Sequence, residues 1–409
     1  MVCGHCGWSL RVIPHIREVR IRNYKCVDQA AVSLEPFTLL VGPNGSGKSN
    51  FIDCLAFVQE CLAESIELAF KNRGGINAVR RKSGGHPTHI GIGLSLYLHD
   101  GGMADYGFEI AAEKAGGFRV ARESCRRRPF MGPEAAFEVV DGEFIKEIAG
   151  IRPKVSPDRL ALFAASATEE FRPVFDFLTS MRFYSVAPER LRELQDPDPG
   201  VYLKRDGSNA AAVLKQVKQA GGGNDRYARL CRLLSRVVKG LSSVEYRPVG
   251  QKETLQFRQD VGLAHPWRFD ALNMSDGTLR ALGLLLAVYQ VGKASVVAVE
   301  EPEATVHPAV MEVIVDVLVD ASNDRQVLVT THSPDILEHK GIRDSQIRVV
   351  TLDQNRTLIC PLSEASREAV RSKLYTLGEL LRSDELSADV KAAKRAASQF
   401  NLFDSARDP

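Results

Sequence analysis

The stretch Gly42-Pro43-Asn44-Gly45-Ser46-Gly47-Lys48-Ser49 decides the fold of this chain, because it stands between a strand-like and a helix-like segment. The run Phe37-Thr38-Leu39-Leu40-Val41 before it is short, apolar and β-prone, which predicts a buried strand. In the run after it, from Asn50 to Val58, apolar residues recur at helical spacing. A glycine-rich turn placed this way lets backbone N–H groups surround an anion at the positive end of a helix. The pattern G-x-x-x-x-G-K-[ST] therefore predicts a phosphate-binding loop (P-loop).

This loop also predicts the ligand and its metal. The ammonium group of Lys48 is expected to reach the β- and γ-phosphates of a nucleoside triphosphate, and the Ser49 hydroxyl to hold Mg²⁺. We therefore expect ATP and Mg²⁺ as cofactors. The candidate nucleotide-binding residues here are Gly42, Pro43, Asn44, Gly45, Ser46, Gly47, Lys48, Ser49 and Asn50.

Composition places the chain among ordinary globular proteins. Of its 409 residues, 44% are hydrophobic and 25% are charged, and the net charge is only +2. No apolar run is long enough to cross a bilayer, and the N-terminus lacks the pattern of a secretory signal. Eight scattered cysteines favour a reducing cytoplasm over a disulfide framework. We expect a cytoplasmic protein that does not enter a membrane.

The N-terminus carries Cys3-Gly4-His5-Cys6, which offers three zinc ligands, Cys3, His5 and Cys6. A structural zinc site needs four ligands, and no second C-x-x-C is present to complete it. The alternative is a disordered leader over residues 1–15, which we favour while leaving metal binding open.

The pattern along the chain predicts an α/β fold with four parts after this leader. Residues 16–150 are expected to form an ATPase lobe with the P-loop, a first strand at 16–23 and antiparallel strands at 90–98, 106–112 and 117–121. Residues 151–265 are expected to form a mainly helical insertion. Residues 266–385 alternate strands and helices, which predicts the second ATPase lobe, and residues 386–409 form a C-terminal tail. The expected core is a mixed sheet with a parallel centre.

Two acids follow an apolar strand in the second lobe, in the segment Ser295 to Glu303. Because ligands bind at the carboxyl edge of a parallel sheet, Glu300 and Glu301 are expected beside the P-loop. Glu300 is the candidate to accept from the waters of Mg²⁺, and Glu301 is the candidate base for the attacking water. A strand that ends in solvated acids is the alternative, which the P-loop makes less attractive.

One histidine follows the next apolar strand, Gln326 to Thr330. His332 is expected at the same edge, where its ring can hydrogen-bond the γ-phosphate or the attacking water. Because Ser333-Pro334 ends the strand directly after it, we expect the ring to face the crevice.

A further anion site is predicted at Ser275-Asp276-Gly277, where a capping signal opens a long apolar helix from Leu279 to Val288. The P-loop is the predicted phosphate site of this chain, so this helix N-terminus is a second anion site with no obvious phosphate of its own. One P-loop with one detached helix N-terminus suggests that Ser275, Asp276 and Gly277 serve the nucleotide of another subunit.

These segments together resemble the ABC-type ATPase heads of the RecF, SMC and RecN branch. More narrowly, they are similar to compact bacterial proteins described as AAA-type or predicted ATPases. The resemblance covers residues 16–115 and 265–380. It rests on Ile21-Arg22-Asn23-Tyr24-Lys25 before the P-loop, on Ser-Asp-Gly-Thr-Leu-Arg, on Glu-Glu-Pro-Glu with His307-Pro308, and on Thr-His-Ser-Pro. Asp206-Gly207-Ser208-Asn209 also looks like a recurring element of this group.

The resemblance implies a head-to-head homodimer with two ATP molecules between the P-loop and the signature segment. Ser275 and Gly277 would then contact the γ-phosphate of the opposite subunit, and the segment from Glu303 to His307 would line the seam. The sequence departs from the pattern in three ways. Glu300 replaces the commoner Asp, no glutamine is assigned to the loop that completes the Mg²⁺ shell, and the signature reads Ser-Asp-Gly.

The target of this ATPase is less clearly indicated. Residues 204–252 contain eleven Lys or Arg against three acids. On a helix, the basic residues of one stretch share a face and can track a phosphate backbone: Arg226, Arg229, Arg232, Arg236 and Lys239. A solvated helix face is an equally good interpretation, and only the family resemblance favours DNA.

Three functions are compatible with these observations. The first is a DNA-associated ATPase of repair, recombination or anti-phage defence. The second is a slow ATP-dependent switch that controls a separately encoded effector such as a nuclease. The third, a transporter subunit, is disfavoured by the Ser-Asp-Gly signature and by the segment that precedes the P-loop. DNA stimulation of turnover would separate the first two.

Overall fold

The computed structural model describes residues 13–81, 89–113, 116–146, 155, 158–220, 226–262, 265–354, 356–399 and 401–403. The strands in these ranges are β1 His15–Tyr24, β2 Val27–Ser33, β3 Phe37–Val41, β4 His89–Tyr97, β5 Met103–Ala112, β6 Phe118–Arg128, β7 Ala135–Val140, β8 Glu143–Lys146, β9 Arg182–Tyr184, β10 Leu241–Val249, β11 Lys252–Gln259, β12 Trp267–Asp270, β13 Val296–Glu300, β14 Gln326–Thr331, β15 Ile347–Asp353 and β16 Arg356–Pro361.

The helices in the same ranges are α1 Lys48–Ala63, α2 Ile66–Lys71, α3 Ile76–Val79, α4 Ala161–Ala165, α5 Arg172–Thr179, α6 Pro188–Arg192, α7 Ala210–Gln219, α8 Arg226–Val237, α9 Asp276–Tyr289, α10 Pro308–Ala321, α11 Pro334–Leu337, α12 Glu364–Arg371, α13 Leu377–Arg382 and α14 Val390–Gln399. Short 3-10 turns at Ala271–Asn273 and Asp344–Gln346 lead into α9 and β15.

A six-stranded sheet in the order β16-β15-β3-β14-β13-β9 forms the centre of the fold. Strands β15, β3, β14, β13 and β9 are parallel to their neighbours, and β16 is antiparallel to β15. Parallel strands end at one edge, so β3, β13 and β14 all deliver the residues that follow them to the same place. The mixed sheet with a parallel core is therefore confirmed, and this edge contains the candidate site.

Both faces of the central sheet are buried, which explains why its strands are almost continuously apolar. Leu40, Ala298 and Leu328 point into one hydrophobic core, which they share with α1 and the antiparallel strands. Their neighbours along the strands, such as Leu39 and Val329, point into a second core, which they share with α7, α9 and α10. Helix α1 is apolar on nearly all sides because it is enclosed between the two sheets.

The antiparallel strands of the first lobe form a seven-stranded sheet in the order β2-β1-β4-β5-β6-β7-β8. The expected strands near residues 16–23, 90–98 and 106–112 correspond to β1, β4 and β5. Strand β6 extends far beyond the expected end at residue 121, and β7 and β8 were not predicted. Charged residues interrupt these outer strands, so their apolar alternation is weak.

The middle segment, 151–265, is more mixed than the expected helical insertion. Helices α4 to α8 are present, but the antiparallel pair β10 and β11 was missed, as was the incorporation of β9 into the central sheet. Strand β9 has only three residues, too few to show a period. The end of β10 from Arg247 to Val249 is exposed before the turn at Gly250 (φ +59°), so this strand carries only a weak apolar alternation.

The described residues of the expected C-terminal tail pack against the strands. Helix α14 lies against β2 and β16, and Leu402 is 1% exposed. The side chain of Leu402 fills the space left by the missing Cβ of Gly91, and Arg20 donates to the carbonyl of Asn401 at 3.2 Å. Most of the leader, including Cys3, His5 and Cys6, lies outside the described residues. Within the described ranges, no helix combines the length and apolarity needed to cross a bilayer.

Candidate nucleotide site

The P-loop joins β3 to α1 at the carboxyl edge of the central sheet, as the sequence predicts. Gly47 is the residue before α1 and has φ +106°, a conformation that side chains disfavour. A Cβ on Gly47 would overlap the side chain of Thr357, and one on Gly42 would overlap the carbonyl oxygen of Val350. These two glycines therefore allow β15 and β16 to close over the loop.

The loop has an exposed rim and a buried floor. Pro43, Asn44 and Gly45 are exposed, as is Ser49, whereas Ser46, Gly47 and Lys48 are buried. The Thr357 hydroxyl donates to the carbonyl of Ser46 at 2.9 Å and fixes the floor. The Ser46 hydroxyl is buried and has no hydrogen-bond partner in the described part of the chain, which leaves an unsatisfied polar group within the loop.

Lys48 is held inside the loop by the backbone. Its Nζ donates to the carbonyl oxygens of Gly42 at 2.8 Å and Pro43 at 3.0 Å. Burial lowers the pKa of Lys48, while the charges of Glu301 and Glu303 act in the opposite direction. The two acids therefore lie close enough to influence the ammonium group, which brings the P-loop and the β13 edge together.

The two predicted carboxylates differ in surroundings. Glu300 ends β13 with its side chain 11% exposed, and its Oε1 accepts from Arg205 Nη2 at 2.6 Å. Glu301 follows with φ +43°, and its backbone N–H donates to the Thr330 carbonyl at 3.1 Å. This left-handed turn places Glu301 on the open side of the edge, where its side chain is 36% exposed.

His332 follows β14 and is exposed. Its Nδ1 lies 3.8 Å from Glu301 Oε1 and 3.4 Å from Glu303 Oε1. Glu303 also accepts from the Thr331 hydroxyl at 2.6 Å and from the His332 backbone N–H at 3.0 Å. The structure therefore brings Glu301 and His332 together and adds Glu303, which joins the segment after β13 to the one after β14.

The predicted signature begins α9. Ser275 is the N-cap, its hydroxyl accepts from the Thr278 N–H at 3.3 Å, and it is exposed. Gly277 leaves room for the Thr305 carbonyl, since a Cβ there would lie 3.0 Å from that oxygen. Asp276 pairs with Arg192 of α6.

Arg280 links this same helix to the carboxylates. Its Nη2 donates to the Glu301 carbonyl at 2.9 Å, so α9 contacts the peptide that carries the candidate base. Arg280 is the last residue of the Ser-Asp-Gly-Thr-Leu-Arg motif, but the sequence assigned it no role, because nothing local to α9 indicates which strand it meets.

The segment Ile21 to Lys25 also has a structural role that the sequence did not reveal. Asp53, on the second turn of α1, accepts from the Tyr24 hydroxyl at 2.7 Å and pairs with Lys25 at 2.6 Å and Arg73 at 3.0 Å. Burial raises the pKa of Asp53, but these partners outweigh it and hold the pKa below its usual value. The available signal was an acid, Asp53, set among the apolar residues from Phe51 to Val58 of α1.

No glutamine directly follows β9, the strand that pairs with β13 on the side away from β14. Strand β9 ends at Tyr184 and is followed by Ser185-Val186-Ala187. A cavity of about 750 Å³ lies at the opposite, amino-terminal end of β9, where Arg182, Tyr202 and Lys293 line it. It is therefore separate from the nucleotide edge.

The basic residues proposed for DNA do share an exposed face. Arg226, Arg229, Arg232 and Arg236 lie on α8, Lys239 follows the helix, and all five are exposed, while Leu230 and Leu234 are buried on the other side. Helix α10 neutralises part of this stripe. Asp320 pairs with Arg229 at 2.7 Å, and Asp316 lies 4.0 Å from Arg236.

The residues present fit a nucleoside triphosphate with Mg²⁺. The cradle requires glycine at two positions, its buried Ser46 hydroxyl is unpartnered within the described residues, and the Lys48 donors contact only loop carbonyls. Ser49 and Glu300 supply the oxygen donors that Mg²⁺ prefers.

Comparison of the sequence with family models shows which family the chain belongs to. Residues 37–338, well over half of the chain, match the family described as "AAA domain, putative AbiEii toxin, Type IV TA system". No curated protein matches the sequence.

The first of two similar solved structures, with a TM-score above 0.5, shows the fold. The Smc head bound to the C-winged helix domain of ScpA is 14% identical with a TM-score of 0.51, and the match covers 87% of this chain and 99% of that one. An Smc head domain with an extended coiled coil, bound to the C-terminal domain of ScpA from Pyrococcus furiosus, is 12% identical with a TM-score of 0.49, over 88% and 99% of the two chains. The protein therefore has the fold of an SMC-type ATPase head, and it belongs to the family of AAA domains described as putative AbiEii toxins of type IV toxin–antitoxin systems.

Proposed function

We propose that this protein is a Mg²⁺-dependent ATPase that closes head-to-head with a second copy around two ATP molecules and couples this cycle to DNA. The observation that carries the proposal is that Lys48, Glu301 and His332 lie together at one edge of the central sheet. Glu300 lies at the same edge, as the last residue of β13. A P-loop with a carboxylate and a histidine at this edge has the parts that phosphoryl transfer to water requires.

Each residue has a distinct task in this scheme. The P-loop N–H groups and Lys48 bind and orient the phosphates, after Lys48 leaves its two loop carbonyls. Glu301 accepts the proton of the attacking water, and His332 hydrogen-bonds the γ-phosphate or that water. When bound through Ser49 and Glu300, Mg²⁺ would neutralise charge on the phosphates.

Closure with a second copy is supported by the position of the signature. Ser275 is exposed at the start of a 14-residue helix, whose N-terminus favours an anion. The same helix contacts the Glu301 carbonyl through Arg280. Phosphate bound by Ser275 and Gly277 from the opposite subunit would therefore act on a helix that already contacts the catalytic edge.

DNA is the proposed target because the α8 stripe is basic and exposed.

A second function is favoured by two specific observations. Ion pairs with Asp316 and Asp320 reduce the free charge of the stripe, and the family description refers to toxin–antitoxin systems. The alternative is a slow ATP-dependent switch for a separately encoded effector, with a role in anti-phage defence.

The deciding experiment measures ATP hydrolysis by the purified chain alone, with single-stranded DNA and with double-stranded DNA. Stimulation by DNA supports the first function. A slow rate that DNA does not change, but that Glu301→Gln abolishes, supports the switch.

Nucleotide binding itself is tested with Lys48→Ala, which removes one charged donor to the phosphates. We expect ATP affinity to fall by about 10- to 100-fold, since hydrogen bonds to charged groups contribute about 1.5–3 kcal/mol. Fluorescent ATP titration measures this, and unchanged affinity would refute the P-loop assignment.

A further inference from the structure

The Asp206-Gly207-Ser208-Asn209 motif has no role in the scheme above, although the sequence marks it out. It belongs to a turn from Lys204 to Asn209 that precedes α7. The turn is locally defined: the Asn209 side chain accepts from the Lys204 N–H at 2.8 Å and donates to Asp198 at 2.9 Å. Gly207 has φ +85°, and a Cβ there would overlap Leu191. This motif therefore builds a rigid turn that needs glycine and asparagine.

The turn is attached to the nucleotide edge of the central sheet. The N–H of Ser185, directly after β9, donates to the Arg205 carbonyl at 2.9 Å, and the N–H of Ala187 donates to the Asp206 carbonyl at 3.0 Å. Strand β9 pairs with β13, which ends at Glu300. Two backbone hydrogen bonds thus hold the turn beside the end of the strand that carries the proposed Mg²⁺ ligand.

Arg205 is the side chain that this turn presents. Its Nη2 lies 2.6 Å from Glu300 Oε1, and Glu300 is 11% exposed whereas Arg205 is 48% exposed. The carboxylate is therefore largely enclosed, and the guanidinium covers it from the solvent side. A guanidinium in this position satisfies Glu300 by charge and hydrogen bonding, and it repels any cation that approaches the same oxygen.

We infer that Arg205 is a resting-state lock on the metal-binding carboxylate, and that it must release Glu300 when Mg²⁺-nucleotide binds. This inference rests on the proposed function, because it assigns regulation to the same site. Lys48 is held in a comparable way by the carbonyls of Gly42 and Pro43. The basic groups of the site are thus occupied by internal partners that the ligand has to displace.

The experiment compares wild type with Arg205→Ala in the binding of fluorescent ATP across a Mg²⁺ titration. Loss of the competing cation lowers the Mg²⁺ concentration at half-maximal binding by about fivefold, as expected for an ion pair of about 1 kcal/mol. ADP gives the same shift, because the lock acts on the metal ligand and not on the γ-phosphate. In a Glu300→Gln background, Arg205→Ala has no further effect.

Lys204→Ala is the matched control. Lys204 is the neighbouring, 52% exposed cation, and it pairs with Asp198 instead of Glu300. Lys204→Ala leaves the Mg²⁺ concentration at half-maximal binding unchanged. Arg205→Lys keeps the charge, so its Mg²⁺ midpoint stays closer to that of wild type than the midpoint of Arg205→Ala does. Thermal unfolding without ligand checks that all variants are folded.

Two results would overturn the inference. An unchanged Mg²⁺ midpoint in Arg205→Ala would show that the pair does not compete with the metal. Weaker ATP binding at saturating Mg²⁺, with ADP unaffected, would make Arg205 a γ-phosphate contact. Lys48→Ala separates either failure from that of the proposed function: if it loses ATP affinity while Arg205→Ala changes nothing, only the lock is wrong.

Discussion

Two acids at the carboxyl edge, Glu301 and Glu303, are candidates for the base that deprotonates the attacking water. Replacing each of them by glutamine distinguishes their roles. Both substitutions remove one charge and conserve volume. The Glu303 Oε1 already accepts from the Thr331 hydroxyl and the His332 N–H, so it is engaged in holding two segments together. Glu301 is more exposed, and its nearest ion-pair distance is the 3.8 Å to His332 Nδ1. We therefore expect Glu301 to act on water and Glu303 to position His332.

The expected loss follows from these roles. Removing a general base lowers turnover by about 10²- to 10⁴-fold, or about 3–5 kcal/mol of activation free energy, so Glu301→Gln should show this loss with ATP affinity retained. Glu303→Gln keeps an oxygen that can accept both hydrogen bonds, so its turnover should fall by less than about tenfold. Glu303→Ala leaves those donors unpaired and should lower the free energy of unfolding by about 1–3 kcal/mol.

Three measurements check this division: single-turnover phosphate release, fluorescent ATP binding and urea unfolding. Glu301→Gln should also accumulate as an ATP-bound dimer in size-exclusion chromatography. The reasoning is refuted if Glu303→Gln loses turnover as severely as expected for Glu301→Gln while Glu301→Gln remains active. Equal losses in both variants would contradict the separate roles.

Three further predictions address closure, DNA and pH. Ser275→Arg should keep ATP affinity but prevent the nucleotide-dependent dimer in size-exclusion chromatography, because a bulky cation fills the signature; a dimer that still forms would place the signature elsewhere. Replacing Arg229, Arg232 and Arg236 of α8 together by alanine should weaken DNA binding and reduce the slope of log affinity against log salt concentration by about one for each phosphate that the protein no longer neutralises. Asp320→Asn should strengthen DNA binding, because Asp320 pairs with Arg229. Unchanged binding in the triple variant would make the stripe a solvated face. Burial raises the pKa of Glu123 from 4.5 to about 7 although Leu162, Ala161 and Tyr106 donate to it. Because the folded protein binds this proton more tightly than the unfolded chain does, the stabilisation from protonated Glu123 is complete below pH 4.5 and is lost as pH rises through about 7. Glu123→Gln should therefore remove the corresponding decline in the free energy of unfolding, measured with urea as a function of pH. An unaltered pH profile would argue against the shift.

Local sequence determined the central features of this protein. A short apolar run, a glycine-rich turn and a helix-periodic run sufficed to predict β3, the P-loop and α1. The expected β13 and β14 correspond within about one residue to the observed strands, because strands buried on both faces leave a continuous apolar signal. The carboxyl-edge rule for parallel sheets then brought Glu300, Glu301 and His332 to the P-loop without any structure.

Tertiary structure decided the partners of these residues. Arg205 meets Glu300 across 95 positions, and Asp53 gathers partners from the end of β1, from the residue after it and from the chain after α2. No local period encodes such pairs, since they depend on how β9, β13 and the turn at Gly207 pack. The α8 stripe shows the same limit: its periodicity gave the exposed face, but only packing against α10 revealed the acids that neutralise part of it. Sequence sets periodicity and turn chemistry over a few residues, whereas long-range charge pairing is fixed only when the chain has folded.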